Sequence, residues 1–395
     1  MRIEHLLPKT GANLALAVLL TLFTATAPAQ EYPRAVPLRP TPTPGSGSGV
    51  PASAPASSLN DRALFLAGMR TTQGSPFSLF EETPAFAHHQ KELDSLYNYC
   101  ERVRLKDMRA WAPQEMHPRI YRPSVIYYTF AGPDFISVDA LFPQVPTYIL
   151  CGLEPVGTIV APEAMSYPEI EAGLANLQTS LENILKFSYF ITKDMKVDFE
   201  RTKFNGVMPI LYVFLARSGK TIIDTQYCAA NADGSLQTSR QPIKGPGNQG
   251  VKITFTSENG QPQELYYFTT DLSNSGISKG FLNFMGSHGK GCSYLKSASY
   301  LLQEPSFSIT RDWLLDHSAT ILQDDSGIPL HAFDPRKWDI TLFGQYSSVL
   351  EIFQKYYQPD LQQAYQTNRG QPLTFGVGYT FKRGESNLLL ATLKR

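Results

Sequence analysis

The sequence has no excess of charge of either sign. Its 35 acidic and 35 basic side chains, in 395 residues, give a formal net charge of zero. Proteins that bind nucleic acids place surplus Lys and Arg side chains on the phosphates, and this chain has no surplus to place. The composition therefore argues against nucleic-acid binding as a main activity.

Long apolar runs are also missing, apart from one near the N-terminus. The stretch Leu14–Phe23 is shorter than the roughly 18 apolar residues that a membrane span needs. Arg2 and Lys9 precede it and small residues up to Ala29 follow it, which is the pattern of a secretory signal peptide. We predict that residues 1–29 are removed on export to the periplasm or the medium, and that no other transmembrane segment exists. The alternative is an uncleaved N-terminal anchor.

Cysteine is scarce, and none of the four cysteines forms a C-x-x-C pair. They are Cys100, Cys151, Cys228 and Cys292. Structural zinc sites usually take ligands from closely spaced pairs, so this spacing argues against one. Four cysteines in an oxidising compartment allow three pairings, and the sequence does not choose among them. Cys100 lies in a helical pattern and Cys151 in a strand pattern, where both are better explained as small buried apolar side chains.

The chain divides by composition into a linker and a globular part. Residues 30–60 are rich in Pro, Ser, Gly and Ala, so they cannot bury enough apolar surface to become ordered and are predicted to form a tether. Residues 61–395 are predicted to form a single α/β domain whose first part, 61–120, is helical. The length of this region would also permit two domains.

The stretch 124–157 predicts the centre of the fold. Val125–Phe130 is a run of β-branched and aromatic residues, typical of a strand that is buried on both faces. Asp134 can cap a short helix that ends at Pro143, and Tyr148–Leu153 has the pattern of the next strand. Strand, turn, helix and strand predict a βαβ unit with parallel strands and a right-handed crossover.

The other patterns predict helices and antiparallel hairpins around this unit, which gives a mixed α/β sheet. The clearest helix begins at the capping box Ser166–Glu169 and carries an apolar stripe. Further helices are predicted at Leu64–Met69, Ala85–Trp111, Phe281–Met285 and Ser306–Leu315. Three hairpins are predicted: Met208–Ala216 with Thr221–Cys228, Val251–Thr256 with Leu265–Thr270, and Leu373–Phe381 with Asn387–Leu393. A single strand is predicted at Ala319–Gln323, and an exposed loop over 230–250.

Gly132, Asp134 and Glu154 form the first candidate site. Parallel α/β sheets bind ligands at the carboxyl ends of their strands, and nucleotide-binding folds hold a ribose on an acidic residue about 20 positions after a glycine turn. This turn has one glycine where the dinucleotide fingerprint has three, and Pro133 lacks the backbone N–H that would bind a phosphate. The preferred alternative is structural, with Asp134 capping the helix and Glu154 closing the strand.

Asp324, Asp325 and His331 form a candidate metal site, with Asp334 and Asp339 close by in sequence. Carboxylates and an imidazole could hold a divalent cation or act as general acid and base. The preferred alternative is a plain turn, because Asp side chains in turns commonly bond their own backbone.

A third candidate is the glycine-rich segment that contains Ser287, His288, Lys290 and Cys292. It brings a nucleophile, a base and a cation together in sequence, but it lacks the G-x-S-x-G elbow. A nucleophile also needs spatial contact with its base, which adjacency in sequence does not show. A flexible loop is the preferred interpretation.

Five short segments resemble a group of exported bacterial proteins that have no assigned activity. They are GPDF at 132–135, GLEPVG at 152–157, KSASYLL at 296–302, QDDSGIP at 323–329 and SNLLLA at 386–391. The resemblance extends over most of the mature chain. It implies export and a single unit over residues 61–395, and it carries no chemistry with it.

Two classes of function follow from these patterns. Because no complete catalytic motif is present, we prefer a non-catalytic exported module that binds a small polar ligand or an envelope partner. The alternative is an enzyme, either a Rossmann-like nucleotide or adenosyl-cofactor protein of the methyltransferase kind or a metal-assisted hydrolase. The sequence assigns no cofactor, and a catalytic triad assembled from distant residues would leave no motif.

Overall fold

The structure is a computed structural model, and it describes residues 58–189, 203–245 and 248–394. The predicted signal peptide, residues 1–29, lies outside these ranges, as does most of the predicted linker over 30–60. The first helix begins at Leu59, so the linker ends earlier than predicted. Ser58 caps this helix by accepting a hydrogen bond from the Asp61 backbone N–H.

Helices lie before and between the strands of one sheet. The helices are α1 Leu59–Leu66, α2 Ser78–Glu81, α3 Pro84–Cys100, α4 Lys106–Trp111, α5 Phe135–Leu141, α6 Tyr167–Phe187, α7 Met208–Arg217, α8 Lys279–Gly286, α9 Ser308–His317 and α10 Pro359–Asn368. Two π-helical turns, Glu101–Leu105 and Ala112–Met116, follow α3 and α4. The strands are β1 Val125–Tyr128, β2 Thr147–Gly152, β3 Thr221–Ala230, β4 Leu236–Ser239, β5 Asn248–Thr256, β6 Pro262–Thr269, β7 Gly291–Leu295, β8 Ser318–Gln323, β9 Trp338–Gly344 and β10 Asn387–Leu393.

These strands form one mixed sheet in the order β4-β3-β5-β6-β2-β1-β7-β8-β10-β9. The neighbours β6, β2, β1, β7 and β8 run parallel to one another. At one side β3, β4 and β5 add antiparallel strands, and at the other β10 runs antiparallel between β8 and β9. The predicted mixed α/β fold is confirmed, with the βαβ unit β1–α5–β2 at its centre.

Strand β1 is covered on both faces, which explains its uninterrupted apolar sequence. Ile126 and Tyr128 belong to the main core cluster, together with the N-terminal helices and α6. Tyr127 points the other way, where its hydroxyl donates to the Met285 carbonyl at 3.0 Å and its ring packs edge-on against Trp313. A strand between two helical layers has no solvent-facing side, so its sequence does not alternate.

Helix α6 follows the predicted design closely. The Ser166 backbone N–H donates to Glu169 Oε2 at 2.9 Å, and both halves of the capping box are present. The predicted apolar stripe is buried at Ile170, Leu174, Leu177, Leu181 and Ile184. Burial of this stripe holds α6 against the core, because an amphipathic helix derives most of its stability from its packed face.

The prediction of a strand at Met208–Ala216 is wrong. The segment is helix α7, and every residue from Met208 to Ala216 is buried. A short continuous apolar run has the same pattern whether it forms a buried strand or a buried helix. The predicted hairpin with Thr221–Cys228 is therefore absent, and β3 instead pairs with β4 and β5.

The prediction of a C-terminal hairpin is also wrong. Leu373–Phe381 forms no strand, and β10 pairs with β8 and β9, of which β9 was not predicted. The predicted loop over 230–250 contains the short edge strand β4. The structure confirms the predicted hairpin β5–β6 and the predicted strand β8. It also confirms helices close to the predicted positions in the first part of the chain and at α8 and α9.

Candidate functional site

The strand order of the sheet reverses between β1 and β7. From β6 across the sheet to β9, the strands that share one direction, numbered along the chain, lie in the order 3-2-1-4-5-6, with β10 inserted antiparallel before the last. This is the order of doubly wound nucleotide-binding sheets, which bind ligands outside the carboxyl ends of their strands at the reversal point. Gly132, Asp134 and Glu154 lie at this carboxyl edge after β1 and β2, and Lys296 and Asp324 reach it after β7 and β8.

Asp134 has the structural role that the sequence predicts and a second role that it does not. Its Oδ1 caps α5 by accepting the Ser137 backbone N–H at 3.3 Å. Its Oδ2 accepts the Tyr128 hydroxyl at 2.8 Å. Gly132 shapes the turn, with a φ of +54°, and its N–H donates to the Cys151 carbonyl at 3.0 Å, which fastens the turn to β2.

The second role of Asp134 is a buried ion pair with Lys296. Lys296 Nζ lies 2.7 Å from Asp134 Oδ2 and also donates to the Ser188 carbonyl at the end of α6. Burial lowers the pKa of Lys296, and the Asp134 carboxylate opposes that shift. The pair therefore joins the β1 turn, the end of β7 and the end of α6 at one buried point.

Glu154 is buried beside the β1 turn. Its Oε2 accepts the Tyr267 hydroxyl at 3.2 Å, and its backbone carbonyl accepts the Thr269 hydroxyl at 2.8 Å. A Cβ atom at Gly152 would lie 2.3 Å from Glu154 Oε2 and 3.0 Å from the Gly132 Cα. Only glycine at position 152 therefore lets the carboxylate and the β1 turn approach each other.

Asp324 and Asp325 lie at the end of β8 and are both buried. Asp324 Oδ1 accepts the Ser326 backbone N–H at 3.0 Å, which is the turn that the preferred interpretation expects, and its Oδ2 accepts the Ser297 N–H at 3.1 Å. Asp325 accepts hydrogen bonds from Tyr300 and Asn387. Burial, and then the neighbouring Asp325 carboxylate, raise the pKa of Asp324.

The structure does not bring the other candidate metal ligands to these two carboxylates. The His331 side chain is 77% exposed, and its Nδ1 lies 3.9 Å from Asp360 Oδ2. Asp334 pairs with Arg336 at 2.9 Å, and the Asp339 side chain is 68% exposed. Within residues 58–189, 203–245 and 248–394, no group of three or more His, Cys, Asp or Glu side chains is placed to hold a metal ion.

The third candidate segment connects helix α8 to strand β7. It spans the end of α8 and the start of β7, where Cys292 is buried. Burial strongly raises the pKa of the Cys292 thiol, which disfavours the reactive thiolate. His288 Nδ1 bonds the Phe284 carbonyl at 3.0 Å, and the Ser287 hydroxyl donates to the same carbonyl at 2.7 Å. Lys290 lies in the short connection that leads into β7.

The four cysteines are all buried and none is in a disulfide. This arrangement agrees with the interpretation of Cys100 and Cys151 as small apolar side chains. Among the described residues, the structure contains no helix that combines the length and apolar character of a membrane span.

A small cavity lies at the carboxyl edge and contains groups that the sequence analysis did not identify. Its volume is about 50 Å³, and its lining includes Asp134, Glu154, Tyr189, Lys296, Ser297 and Tyr379. Ser297 has a left-handed φ of +59°, and its buried hydroxyl has no hydrogen-bond partner in the described part of the chain. The buried hydroxyls of Thr129, directly after β1, and of Tyr294, on β7, are also unpartnered there.

The comparisons with known proteins add no name to this arrangement. The chain matches no protein-family model, no curated protein and no solved structure. The fold class is therefore assigned from the topology of the sheet alone, and any function has to be argued from the groups at the carboxyl edge.

Proposed function

We propose that the protein binds a small polar ligand, rich in hydroxyl groups, at the carboxyl edge of its parallel strands. The observation that supports this most directly is the buried Ser297 hydroxyl, which lines the cavity without a partner among the described residues. A buried polar group without a partner costs about 1–3 kcal/mol. A ligand that bonds Ser297 would remove this cost, so the unpartnered hydroxyl favours a binding role.

The charges around the cavity favour a ligand that donates hydrogen bonds. Two carboxylates, Asp134 and Glu154, and one amine, Lys296, line the cavity. The amine is already held by Asp134 and by the Ser188 carbonyl. Carboxylates accept hydrogen bonds and repel anions, so hydroxyl or ammonium groups suit this lining better than phosphate or carboxylate groups.

A nucleoside or adenosyl compound is the second candidate ligand. The strand order and the position of Glu154 at the end of the second parallel strand favour it, since an acidic residue there accepts ribose hydroxyls in doubly wound folds. The size of the cavity opposes it. Its volume of about 50 Å³ is far below the roughly 300–1,000 Å³ of sites for larger ligands, so Tyr189 or Tyr379 would have to move aside.

A thermal-shift screen of the mature protein tests the proposal. The probes are simple sugars and polyols, adenosine, an adenosyl cofactor and a divalent cation, each added at increasing concentration. We expect sugars, polyols or adenosine to raise the unfolding temperature, because a ligand that binds only the folded state stabilises it. The rise should disappear in Glu154→Gln and in Ser297→Ala.

Two comparisons make the screen decisive. Ser297→Ala removes a buried hydroxyl that lacks a partner, so the ligand-free variant should be as stable as the parent or more stable. Glu385→Gln changes an exposed carboxylate and should leave every ligand response intact. A response that persists in both site variants, or no response to any sugar, polyol or nucleoside, would refute the proposed site.

We also propose that this binding takes place outside the cytoplasm. The signal-peptide pattern of residues 1–29 and the resemblance to exported bacterial proteins support this location. The Pro-rich residues 30–60 would then act as a spacer between the N-terminus and a single folded unit that includes the carboxyl edge.

A further inference from the structure

A larger cavity lies at the amino ends of β1 and β2, on the opposite edge of the sheet from the proposed ligand site. Its volume is about 610 Å³. One wall comes from the chain that leads into β1, which includes Ile120 and Pro123. The other comes from the chain between α5 and β2, which includes Phe142 and Val145. A volume in the range of roughly 300–1,000 Å³ is typical of sites for drug-sized molecules.

Part of the wall of this cavity is apolar and conformationally restricted. Phe142 and Val145 are almost completely buried in the protein, and Ile120 packs against the core cluster. Pro123 and Pro143 each lie just before or after a regular element and restrict the backbone there. A restricted apolar wall loses little entropy when a ligand enters, which favours binding of an apolar body.

The ionisable side chains that line the cavity are all basic. Among the described residues, Arg109, His117 and Arg122 line it, and no carboxylate does. Arg109 already pairs with Glu101. His117 Nε2 bonds the Leu141 carbonyl at 3.0 Å.

Arg122 is the cation of this cavity that is left for a ligand. Within the described residues it pairs with no carboxylate, and its one hydrogen bond is a long contact of 3.4 Å to Gln144 Oε1. The adjoining cavity, of about 540 Å³, shares Arg109 with the first but is also lined by carboxylates, of which Asp139 pairs with Lys220. Of these two cavities, the first therefore combines an apolar wall with a positive charge that no carboxylate among the described residues compensates.

We infer that this cavity is a second binding site, for an amphipathic organic anion whose apolar body lies between Ile120 and Phe142 and whose anionic group bonds Arg122. A guanidinium group presents several N–H donors to a carboxylate or sulfonate in matching geometry. The site is independent of the ligand proposed for the carboxyl edge, because no residue is shared between the two cavities.

Isothermal titration calorimetry with three probes that share a dodecyl chain tests this inference on the mature protein. The probes are dodecanoate, dodecyltrimethylammonium and dodecyl maltoside, each kept below its micelle concentration. We expect dodecanoate to bind with a stoichiometry of one and the cationic probe to bind at least tenfold more weakly. The neutral probe separates the contribution of the chain from that of the charge.

Variants then assign the binding to the cavity. Arg122→Gln should weaken dodecanoate binding by about tenfold, which is the loss of one charge-assisted hydrogen bond. Arg122→Lys should retain most of the affinity, and Ile120→Trp should block the cavity for every probe. Arg336→Gln removes an exposed arginine elsewhere and Glu154→Gln alters the carboxyl edge, so both should bind dodecanoate as the parent does.

The inference is overturned if the cationic probe binds as tightly as dodecanoate, or if dodecanoate does not bind. It is equally overturned if Arg122→Gln binds dodecanoate with unchanged affinity. Arg122 is exposed, so this variant should keep its fold, which its unfolding temperature verifies. The result therefore stands even if Ile120→Trp is unstable.

Discussion

Lys296 Nζ and Asp134 Oδ2 lie 2.7 Å apart, in an ion pair whose side chains are only 3% and 1% exposed. The two residues are separated in sequence by nearly half of the folded chain. They meet because β7 pairs directly with β1, which places the residues after both strands at the same edge. Removal of one partner from such a pair leaves a buried charge without compensation.

We therefore predict that Asp134→Asn and Lys296→Met each lower the free energy of unfolding by about 3 kcal/mol. Asparagine can still cap α5, so the Asp134→Asn variant isolates the loss of the charge. The role of helix cap alone would account for only about 1 kcal/mol. The measurement is urea unfolding at pH 7.

The double variant tests whether the two effects have the same origin. Asp134→Asn with Lys296→Met should cost clearly less than the sum of the single changes, since neither charge is then left alone in the interior. Costs that add within about 0.5 kcal/mol would show that the pair does not stabilise the fold as a unit.

We predict that the buried carboxyl of Asp139 makes the free energy of unfolding depend on pH. Burial raises the pKa of its carboxyl from 3.8 to about 6, although Lys220 lies 2.8 Å away. The folded state therefore holds this proton more tightly than the unfolded state does. The stabilisation from this proton is complete below about pH 4 and is lost as the pH rises through 6.

The comparison with Asp139→Asn isolates this contribution. As the pH rises from 4 to 7, the stability of the parent should fall by about 3 kcal/mol relative to the variant, at about 1.4 kcal/mol per unit of pKa shift. Groups common to both proteins, including Asp324, cancel in the difference. The matched control is Asp339→Asn, which removes a largely exposed carboxylate at a distant position.

Gly378 and Gly384 form a matched pair that separates backbone strain from a steric clash. Both have a positive φ, of +62° and +81°. A Cβ at Gly378 would lie 2.0 Å from Asp324 Oδ2, whereas nothing lies within 4 Å of a Cβ at Gly384. We expect Gly384→Ala to cost about 1 kcal/mol from the left-handed conformation and Gly378→Ala at least about 1 kcal/mol more. Equal losses in urea unfolding would argue against close packing at Asp324.

The proposal that the protein is exported gives a direct prediction for the N-terminus. Protein recovered from the periplasm or the medium should begin near residue 30, because the small residues up to Ala29 suit a signal peptidase. N-terminal sequencing measures this start, and a secreted chain that begins at Met1 would contradict it.

Limited proteolysis of the mature protein should remove the linker and leave one resistant core, whereas early stable cuts after the helical first part would indicate two domains.

The central βαβ unit could be predicted from sequence because its signals are local. Val125–Phe130 is a run of β-branched and aromatic residues, Asp134 precedes apolar residues at helical spacing, and the capping box at Ser166 starts α6. Met208–Ala216 was misassigned since periodicity cannot separate a fully buried helix from a buried strand. Pro209 in the first turn was the helix signal to weigh, because proline is favoured there and removes a hydrogen bond inside a sheet.

The candidate site was predictable only in part, for the same reason. Asp134 and Glu154 follow consecutive strands of one βαβ unit, so their position at a common edge follows from the topology of that unit. Lys296 and Ser297 reach this edge because β7 pairs with β1 across a long intervening stretch. The sequence has no local signal for that pairing. A lysine and a serine directly after a strand-like run, Gly291–Leu295, were the signal available.

The position of β10 between β8 and β9 has a consequence for how the chain folds during synthesis. β9 ends at Gly344, whereas β10 begins only at Asn387. Until that later segment emerges, the facing edges of β8 and β9 have no strand to pair with, and open edges are where chains join one another. A chaperone that keeps the nascent chain unfolded until β10 has emerged would therefore protect the protein from aggregation.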